Sequence, residues 1–98
     1  MYLNTIRTPK GKILAVCDKE LINKTLNEGE ITLDIKKHSN FYKGKLVNEK
    51  ELLDELKNAD SFNLIGKRCI EIAHKSGLID KTTVKLIGGV PHIQIYII

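Results

Sequence analysis

The chain contains no tryptophan, one methionine, two prolines and two cysteines, and aromatic residues make up only 5% of it. Neither cysteine has a partner at Cys-x-x-Cys spacing, which excludes a zinc site or a redox centre of that kind. We expect Cys17 and Cys69 to be buried, reduced thiols, as free cysteines in a reducing compartment usually are. No metal site and no cofactor is predicted.

Long hydrophobic runs are absent as well. No stretch approaches the ~18–20 apolar residues of a membrane-spanning helix, and the N-terminus lacks the apolar core of a secretory signal. We therefore expect a cytoplasmic protein without a membrane partner. The 98 residues, of which 42% are hydrophobic and 29% charged, suffice for one domain covering residues 1–98.

The N-terminal third predicts strands around a short helix. Two apolar runs at residues 2–7 and 12–17 flank a Thr-Pro-Lys-Gly turn, which is the pattern of a β-hairpin. Asp18 stands in position to cap a short helix over residues 19–26. Apolar and polar residues alternate over residues 30–35 and predict a half-buried strand.

The middle of the chain predicts a loop and a helix. Residues 36–44 show neither a helical nor a strand period and predict a loop, which a brief strand at residues 45–47 follows. Asn48 and, three residues later, Glu51 form a capping-box pattern. This pattern predicts a helix that begins there and ends near residue 59.

The last third predicts a second helix and two strands. The helix covers residues 61–76 and begins at Asp60 or Ser61, and strands at residues 83–87 and 92–98 close the chain. Isoleucines alternate along the last strand, which predicts an interior position in the sheet. The fold class is therefore α+β, with one mixed or antiparallel sheet opened by the N-terminal hairpin, packed against two or three helices, and holding the C-terminal strand.

The excess positive charge is concentrated in one segment. Residues 36–45 (KKHSNFYKGK) hold four lysines and no acid, whereas basic and acidic residues balance in the rest of the chain, so the segment carries the whole net charge of +4. Lysines bind phosphates, and aromatic rings among them can stack on unpaired bases. The alternative is a solvated loop in which Phe41 or Tyr42 anchors the segment to the core. The predicted RNA contacts are Lys36, Lys37, Phe41, Tyr42, Lys43 and Lys45.

A second candidate site surrounds the Gly-Gly-Val-Pro-His motif. Backbone N–H groups at Gly88 and Gly89 could hold an anion, and His92 could donate to a phosphate or act as a general base. Asn63 and Cys17 complete this candidate site. The N-terminus of a helix after Cys17 would lower the pKa of its thiol and make it nucleophilic. The motif matches neither a dinucleotide-binding fingerprint nor a P-loop, and a plain tight turn explains its glycines more simply.

Three sequence phrases carry a resemblance to a known family. LAVCDKELINKT at residues 14–25, SFNLIGKR at 61–68 and GGVPHIQ at 88–94, with Phe-Tyr-Lys-Gly at 41–44, resemble an archaeal family of small stand-alone proteins catalogued as a domain of unknown function. The resemblance implies a compact α+β fold. It also implies a translation-linked role, because the family's genes tend to lie near genes for translation and ribosome maturation. It supplies no catalytic residues, and Lys43 stands where the family has a second glycine.

Three functions are compatible with these observations. The favoured one is a non-enzymatic binding module, an accessory factor that contacts RNA or a ribonucleoprotein. The alternative is a small-ligand or enzymatic site at the glycine turn, with His92 as acid–base and Cys17 nearby. The third is a protein–protein adaptor that pairs through an exposed sheet edge. The sequence gives no support for a homo-oligomer.

Overall fold

Six strands form one mixed sheet, and two more form a small separate sheet, in the computed structural model, which describes residues 1–95. The strands are β1 (Tyr2–Thr8), β2 (Gly11–Cys17), β3 (Thr25–Glu28), β4 (Ile31–Asp34), β5 (Lys45–Leu46), β6 (Ser61–Ile65), β7 (Lys85–Ile87) and β8 (Val90–Ile95). The helices are α1 (Ser39–Tyr42), α2 (Glu49–Lys57) and α3 (Lys67–Lys75), and short 3-10 turns cover Lys19–Leu21 and Lys81–Thr83.

The main sheet has the strand order β5-β1-β2-β6-β8-β7. All neighbouring pairs are antiparallel except β2 and β6, which are parallel. A parallel pair needs a long crossover between its strands, and here the chain between residues 17 and 61 provides it. The predicted α+β class, the opening hairpin β1–β2 and the mixed sheet are confirmed.

Helices α2 and α3 cover one face of the sheet. The predicted capping box begins α2, since the backbone N–H of Glu51 donates to Asn48 Oδ1 at 2.8 Å and that of Asn48 donates to Glu51 Oε1 at 3.1 Å. The apolar side chains of both helices pack on the strands because each helix has one apolar stripe. Buried members of this core include Leu3, Leu14, Val16, Leu52, Leu56, Leu64, Cys69 and Ile72.

The opposite face of the sheet is covered by the β3–β4 hairpin and by α1. Ala15, Cys17 and Ile65 of the sheet pack there against Ile35 and Tyr42. The hairpin reaches as far as β7, and α1 lies against β1 and β2. Asn63 of β6 and Gln94 of β8 line a cleft between this second layer and the sheet.

Residues 61–65 form a strand, so the predicted start of the second helix at Asp60 or Ser61 is wrong. All five residues of β6 are buried, because β6 is a central strand of a sheet whose two faces are both covered. The sequence of such a strand shows no alternation of exposed and buried positions. Such a sequence cannot be told from a buried helix by its period. The helix α3 begins only after Gly66, whose φ of 120° lies outside the range that other residues readily adopt.

The predicted helix over residues 19–26 is also wrong. A 3-10 turn at Lys19–Leu21 is followed by β3, which pairs with β4 from Thr25↔Asp34 to Glu28↔Ile31. The strand predicted over residues 30–35 is present as β4. Within the predicted loop at residues 36–44, the four residues of α1 form a single helical turn.

The strand β8 lies between β6 and β7, so its predicted interior position is confirmed for residues 90–95. Residues 96–98 of the predicted last strand lie outside the described residues. The two edges of the sheet are β5 and β7, which are only two and three residues long and each begin with a lysine. Short edges with lysine are typical of sheets protected against pairing with other chains.

Candidate nucleic-acid interface and the adjoining cleft

The charged segment, residues 36–45, surrounds α1 and leaves its lysines in solvent. Lys36 and Lys37 follow β4, while Lys43 and Lys45 follow α1, and all four are exposed. Gly44 fits tightly against the backbone of Leu3, where a Cβ atom would collide with the carbonyl group. The segment is therefore held close to β1 with its four charges outward.

The two aromatic rings of the segment point inward. Tyr42 is 3% exposed, and its hydroxyl donates to Asn63 Oδ1 at 3.0 Å. Phe41 is half-buried and meets Tyr42 edge-to-face, with ring centroids 5.0 Å apart. Asn4 Nδ2 donates to the carbonyl oxygen of Phe41 at 3.0 Å. The aromatic pair thus anchors the segment to the sheet, and of the two predicted stacking rings only Phe41 keeps appreciable exposure.

Asn63 of β6 is the centre of a polar cluster that also contains Tyr42 of α1 and His92 of β8. It is 3% exposed, and its Oδ1 lies 3.0 Å from the Tyr42 hydroxyl and 3.1 Å from His92 Nε2. Because an amide oxygen can only accept, this contact places the proton on Nε2 and leaves Nδ1 as the acceptor nitrogen. Burial, and secondarily the charge of Lys85, lower the pKa of His92 below its ordinary value. The neutral form of the imidazole therefore predominates at pH 7.

A cleft of about 340 Å³ opens between the charged segment and the sheet. His38, Phe41 and Tyr42 line it from the segment, and Asn63 and Gln94 line it from the sheet. Gln94 and His92 also line a second cavity of about 320 Å³. Ordinary ligand sites have volumes of about 300–1,000 Å³, so this open part of the sheet has the size of a binding site.

The structure brings together Asn63 and His92 but not the glycine turn. Gly88 and Gly89 have φ values of 57° and 78° and form the two-residue turn of the β7–β8 hairpin, as the type I′ turn requires. The N–H of Gly88 donates to Glu28 Oε1 at 3.0 Å. A protein carboxylate already occupies that N–H, and the contact joins the turn to the β3–β4 hairpin.

Cys17 lies apart from the cleft and is fully buried. Its thiol donates to the carbonyl oxygen of Asp18 at 3.2 Å. Burial raises the pKa of Cys17 to about 12, and the neighbouring charge of Asp18 acts in the same direction. Its thiol is therefore protonated at neutral pH, unlike the thiolate that a nucleophile requires.

Asp18 does not cap the 3-10 turn that follows it. Its carboxylate accepts from the backbone N–H of Arg68 at 2.8 Å and of Cys69 at 3.0 Å, in the first turn of α3. A Cβ atom on Gly66 would collide with this carboxyl group. The positive end of the α3 dipole is thus filled by a buried carboxylate of the chain itself.

Sequence reasoning missed three residues of the cleft, namely Leu33, His38 and Gln94. Gln94 alternates with His92 along β8, and the register places it beside Asn63 of β6. Two polar residues on one face of an otherwise apolar strand were the available signal. Among residues 1–95, no three His, Cys, Asp or Glu side chains are grouped as a metal ion would need. Within the same range, none of the helices is long and apolar enough to span a membrane.

The comparisons with known proteins agree with the fold. The crystal structure of an uncharacterized conserved protein from Methanopyrus kandleri is similar, with a TM-score of 0.79 and 27% identity, and the match covers 99% of this chain and 90% of that one. No curated protein matches the chain. The family described as protein of unknown function (DUF424) matches residues 6–98. The resemblance carried by the three sequence phrases is thus confirmed, and the chain belongs to the DUF424 family.

Proposed function

We propose that the protein is a non-enzymatic, cytoplasmic binding module for single-stranded RNA, acting as an accessory factor in translation. The observation that carries the proposal is that the segment holding the whole net charge also forms one wall of the cleft. Phosphates bind to the exposed Lys36, Lys37, Lys43 and Lys45, and the bases face the cleft.

The electrostatics support a polyanionic partner. The four lysines are exposed, and no acidic residue lies between residues 36 and 45. Each phosphate that a lysine neutralises releases counterions, so affinity comes from charge and falls with salt. The inward anchoring of Tyr42 favours this function because an ordered segment loses less conformational entropy on binding than a free loop does.

A single strand fits the site better than a duplex does. The segment contains a single helical turn and the first residue of a short edge strand, and it forms one wall of the cleft. Unpaired bases can enter such a cleft and stack on an aromatic ring, here Phe41, whereas paired bases cannot.

The test is titration of fluorescent RNA into the purified protein. Single-stranded RNA, hairpin RNA and single-stranded DNA of equal length are each measured at ~50 and ~200 mM salt, conditions that separate phosphate-driven binding from other kinds. We expect micromolar or tighter binding of single-stranded RNA that weakens steeply with salt. Absence of binding at the lower salt concentration would contradict the proposal. Stronger binding of single-stranded DNA than of RNA would mean that RNA is not the natural partner.

A second candidate function is a small-ligand site in the cleft with His92 as acid–base. The hydrogen bond between Asn63 and the neutral imidazole favours it, but the protonated and buried Cys17 supplies no nucleophile. Thermal-shift screening of metabolites against the wild type and His92→Asn separates the two functions. A small molecule that stabilises only the wild type would favour this candidate.

A further inference from the structure

We infer that the cleft beside the charged segment holds one unstacked nucleobase of the bound strand and reads its edge through Gln94. The inference rests on the proposed RNA-binding function and specifies what the cleft contributes to it. A nucleobase has two flat apolar faces and a polar edge, and the cleft offers the complement of each.

The apolar surfaces come from two elements of the second layer. Leu33 of β4 and Phe41 of α1 both line the cleft and are half-buried. Phe41 is held by its edge-to-face contact with Tyr42, at an interplanar angle of 88°. A ring fixed in this way stacks on a base at little cost in side-chain entropy.

The polar surface comes from the sheet. Gln94 lines the cleft, is exposed, and makes no side-chain hydrogen bond with any of residues 1–95. Its carboxamide offers two donor hydrogens and an acceptor oxygen, which suits the adjacent donor and acceptor of a base edge. Such a group is free to exchange water for a ligand.

The residue beside Gln94 on the neighbouring strand is ordered before any ligand arrives. Asn63 Oδ1 is held by Tyr42 and His92 from two sides, and the register pairs Asn63 with Gln94 across β6 and β8. The floor of the cleft therefore has a fixed pattern of polar atoms. Selectivity among bases then depends on Gln94, whose donor and acceptor groups match some base edges better than others.

The first experiment uses mononucleotides, which carry one phosphate and cannot span the lysines. AMP, CMP, GMP and UMP are each titrated into ¹⁵N-labelled protein, and the side-chain amide signal of Gln94 is followed by NMR. Ribose 5-phosphate and inorganic phosphate are titrated as controls. We expect at least one nucleotide to shift the Gln94 signal and the two controls to leave it unchanged. Equal shifts with ribose 5-phosphate, or none with any nucleotide, would overturn the inference.

The second experiment uses variants and the single-stranded RNA of the binding test. Gln94→Ala should weaken RNA binding about three- to tenfold, as expected when hydrogen bonds to the base are removed, without changing the salt dependence. Phe41→Leu should weaken it at least about fivefold, because it keeps apolar bulk but removes the flat ring. Asn23→Ala, which removes an exposed carboxamide that does not line the cleft, is the matched control.

The outcomes separate the inference from the function on which it rests. Salt-dependent RNA binding that Gln94→Ala and Phe41→Leu leave unchanged would overturn the base site and leave the proposed function standing. No RNA binding by the wild type would overturn the proposed function. A nucleotide-specific Gln94 shift would then still support a nucleobase site in the cleft.

Discussion

The Tyr42 hydroxyl donates to Asn63 Oδ1 at 3.0 Å across 21 positions of sequence. This bond joins α1, the helical turn at the centre of the charged segment, to β6, one of the two central strands of the sheet. It therefore sets the position of the four lysines relative to the cleft, and it does so in a buried setting where breaking a hydrogen bond is costly.

Removing that hydroxyl should weaken both the fold and the order of the segment. Tyr42→Phe deletes the neutral hydrogen bond to Asn63 and should lower the free energy of unfolding by at least about 0.5–1.5 kcal/mol. Amide hydrogen exchange over residues 36–45 should become faster because the segment loses its anchor. Urea unfolding measures the first effect and exchange mass spectrometry the second.

Tyr2→Phe is the matched control, since the Tyr2 hydroxyl makes no hydrogen bond with any of residues 1–95 and Tyr2 is only half-buried. Equal loss of stability in both variants would show that the Tyr42–Asn63 bond contributes nothing of its own.

The buried cap on α3 should be more costly to disturb. Asp18→Asn turns one acceptor oxygen into a donor group, which would face either the Arg68 or the Cys69 N–H and leave it unpaired. We expect a loss of about 2–3 kcal/mol in the free energy of unfolding, since hydrogen bonds to charged groups are strong and unpaired buried donors are penalised. Asp54→Asn, on the exposed face of α2, should change it by less than about 0.5 kcal/mol. Similar effects in the two variants would contradict the capping role.

The sequence could predict those elements whose signals are local. The hairpin at the N-terminus, the capping box of Asn48 and Glu51, and the alternating strand before residue 36 each depend on neighbours a few positions apart. Asp18 shows the limit of such reasoning. Its residue type is right for a cap, but its partners are about 50 positions away on α3, so only the folded chain shows which helix it caps.

Both cysteines should resist thiol reagents in the native protein. Burial is the main cause that raises the pKa of Cys17 to about 12 and that of Cys69 well above its ordinary value. We expect a chromogenic disulfide reagent at pH 8 to label neither thiol natively and both thiols in denaturant. Rapid native labelling of Cys17 would restore it as a candidate nucleophile.

The same pKa shifts predict a loss of stability in alkali. Thiols in the unfolded chain ionise near their ordinary pKa of 9.0, while Cys17 in the folded chain stays protonated up to about 12. Stabilisation from the folded thiol is thus complete below pH 9 and declines as the pH rises towards 12. Urea unfolding at pH 8 and 10 should show a smaller loss for Cys17→Ala, measured against its own pH 8 value, than for the wild type.

His92 should give the opposite pH dependence. Its pKa in the folded protein lies below the ordinary 6.5, first because of burial and second because of Lys85. The unfolded chain therefore binds the proton more readily, so the contribution of His92 to stability is present above pH 6.5 and is lost as the pH falls. An NMR titration of the ring signals measures the pKa directly. Lys85→Gln should raise it part of the way, and a wild-type value at or above 6.5 would contradict the account.

The sequence predicts only part of the candidate site. The cluster of four lysines is a local property of residues 36–45 and was visible at once. The inward direction of Tyr42 and the hydrogen bond between Asn63 and His92 depend on the order of strands β6 and β8. The predicted helix at residues 61–76 would have placed Asn63 in its first turn, where no cleft could form around it.

The most direct test of RNA binding by the charged segment compares two variants of equal charge. One changes the four lysines of the charged segment to glutamine. The other changes four exposed lysines elsewhere in the chain to glutamine and so has the same net charge. The control positions are Lys10, Lys19, Lys50 and Lys81.

The measurement is the affinity for single-stranded RNA as a function of salt concentration. We predict that the segment variant binds RNA much more weakly than the wild type does. The slope of log affinity against log salt should fall by up to about 3, at about 0.7 for each phosphate that a lysine no longer neutralises. The control variant should bind nearly as the wild type does. Equal weakening in both variants would mean that binding follows net charge alone, and the charged segment would not be the RNA-binding site.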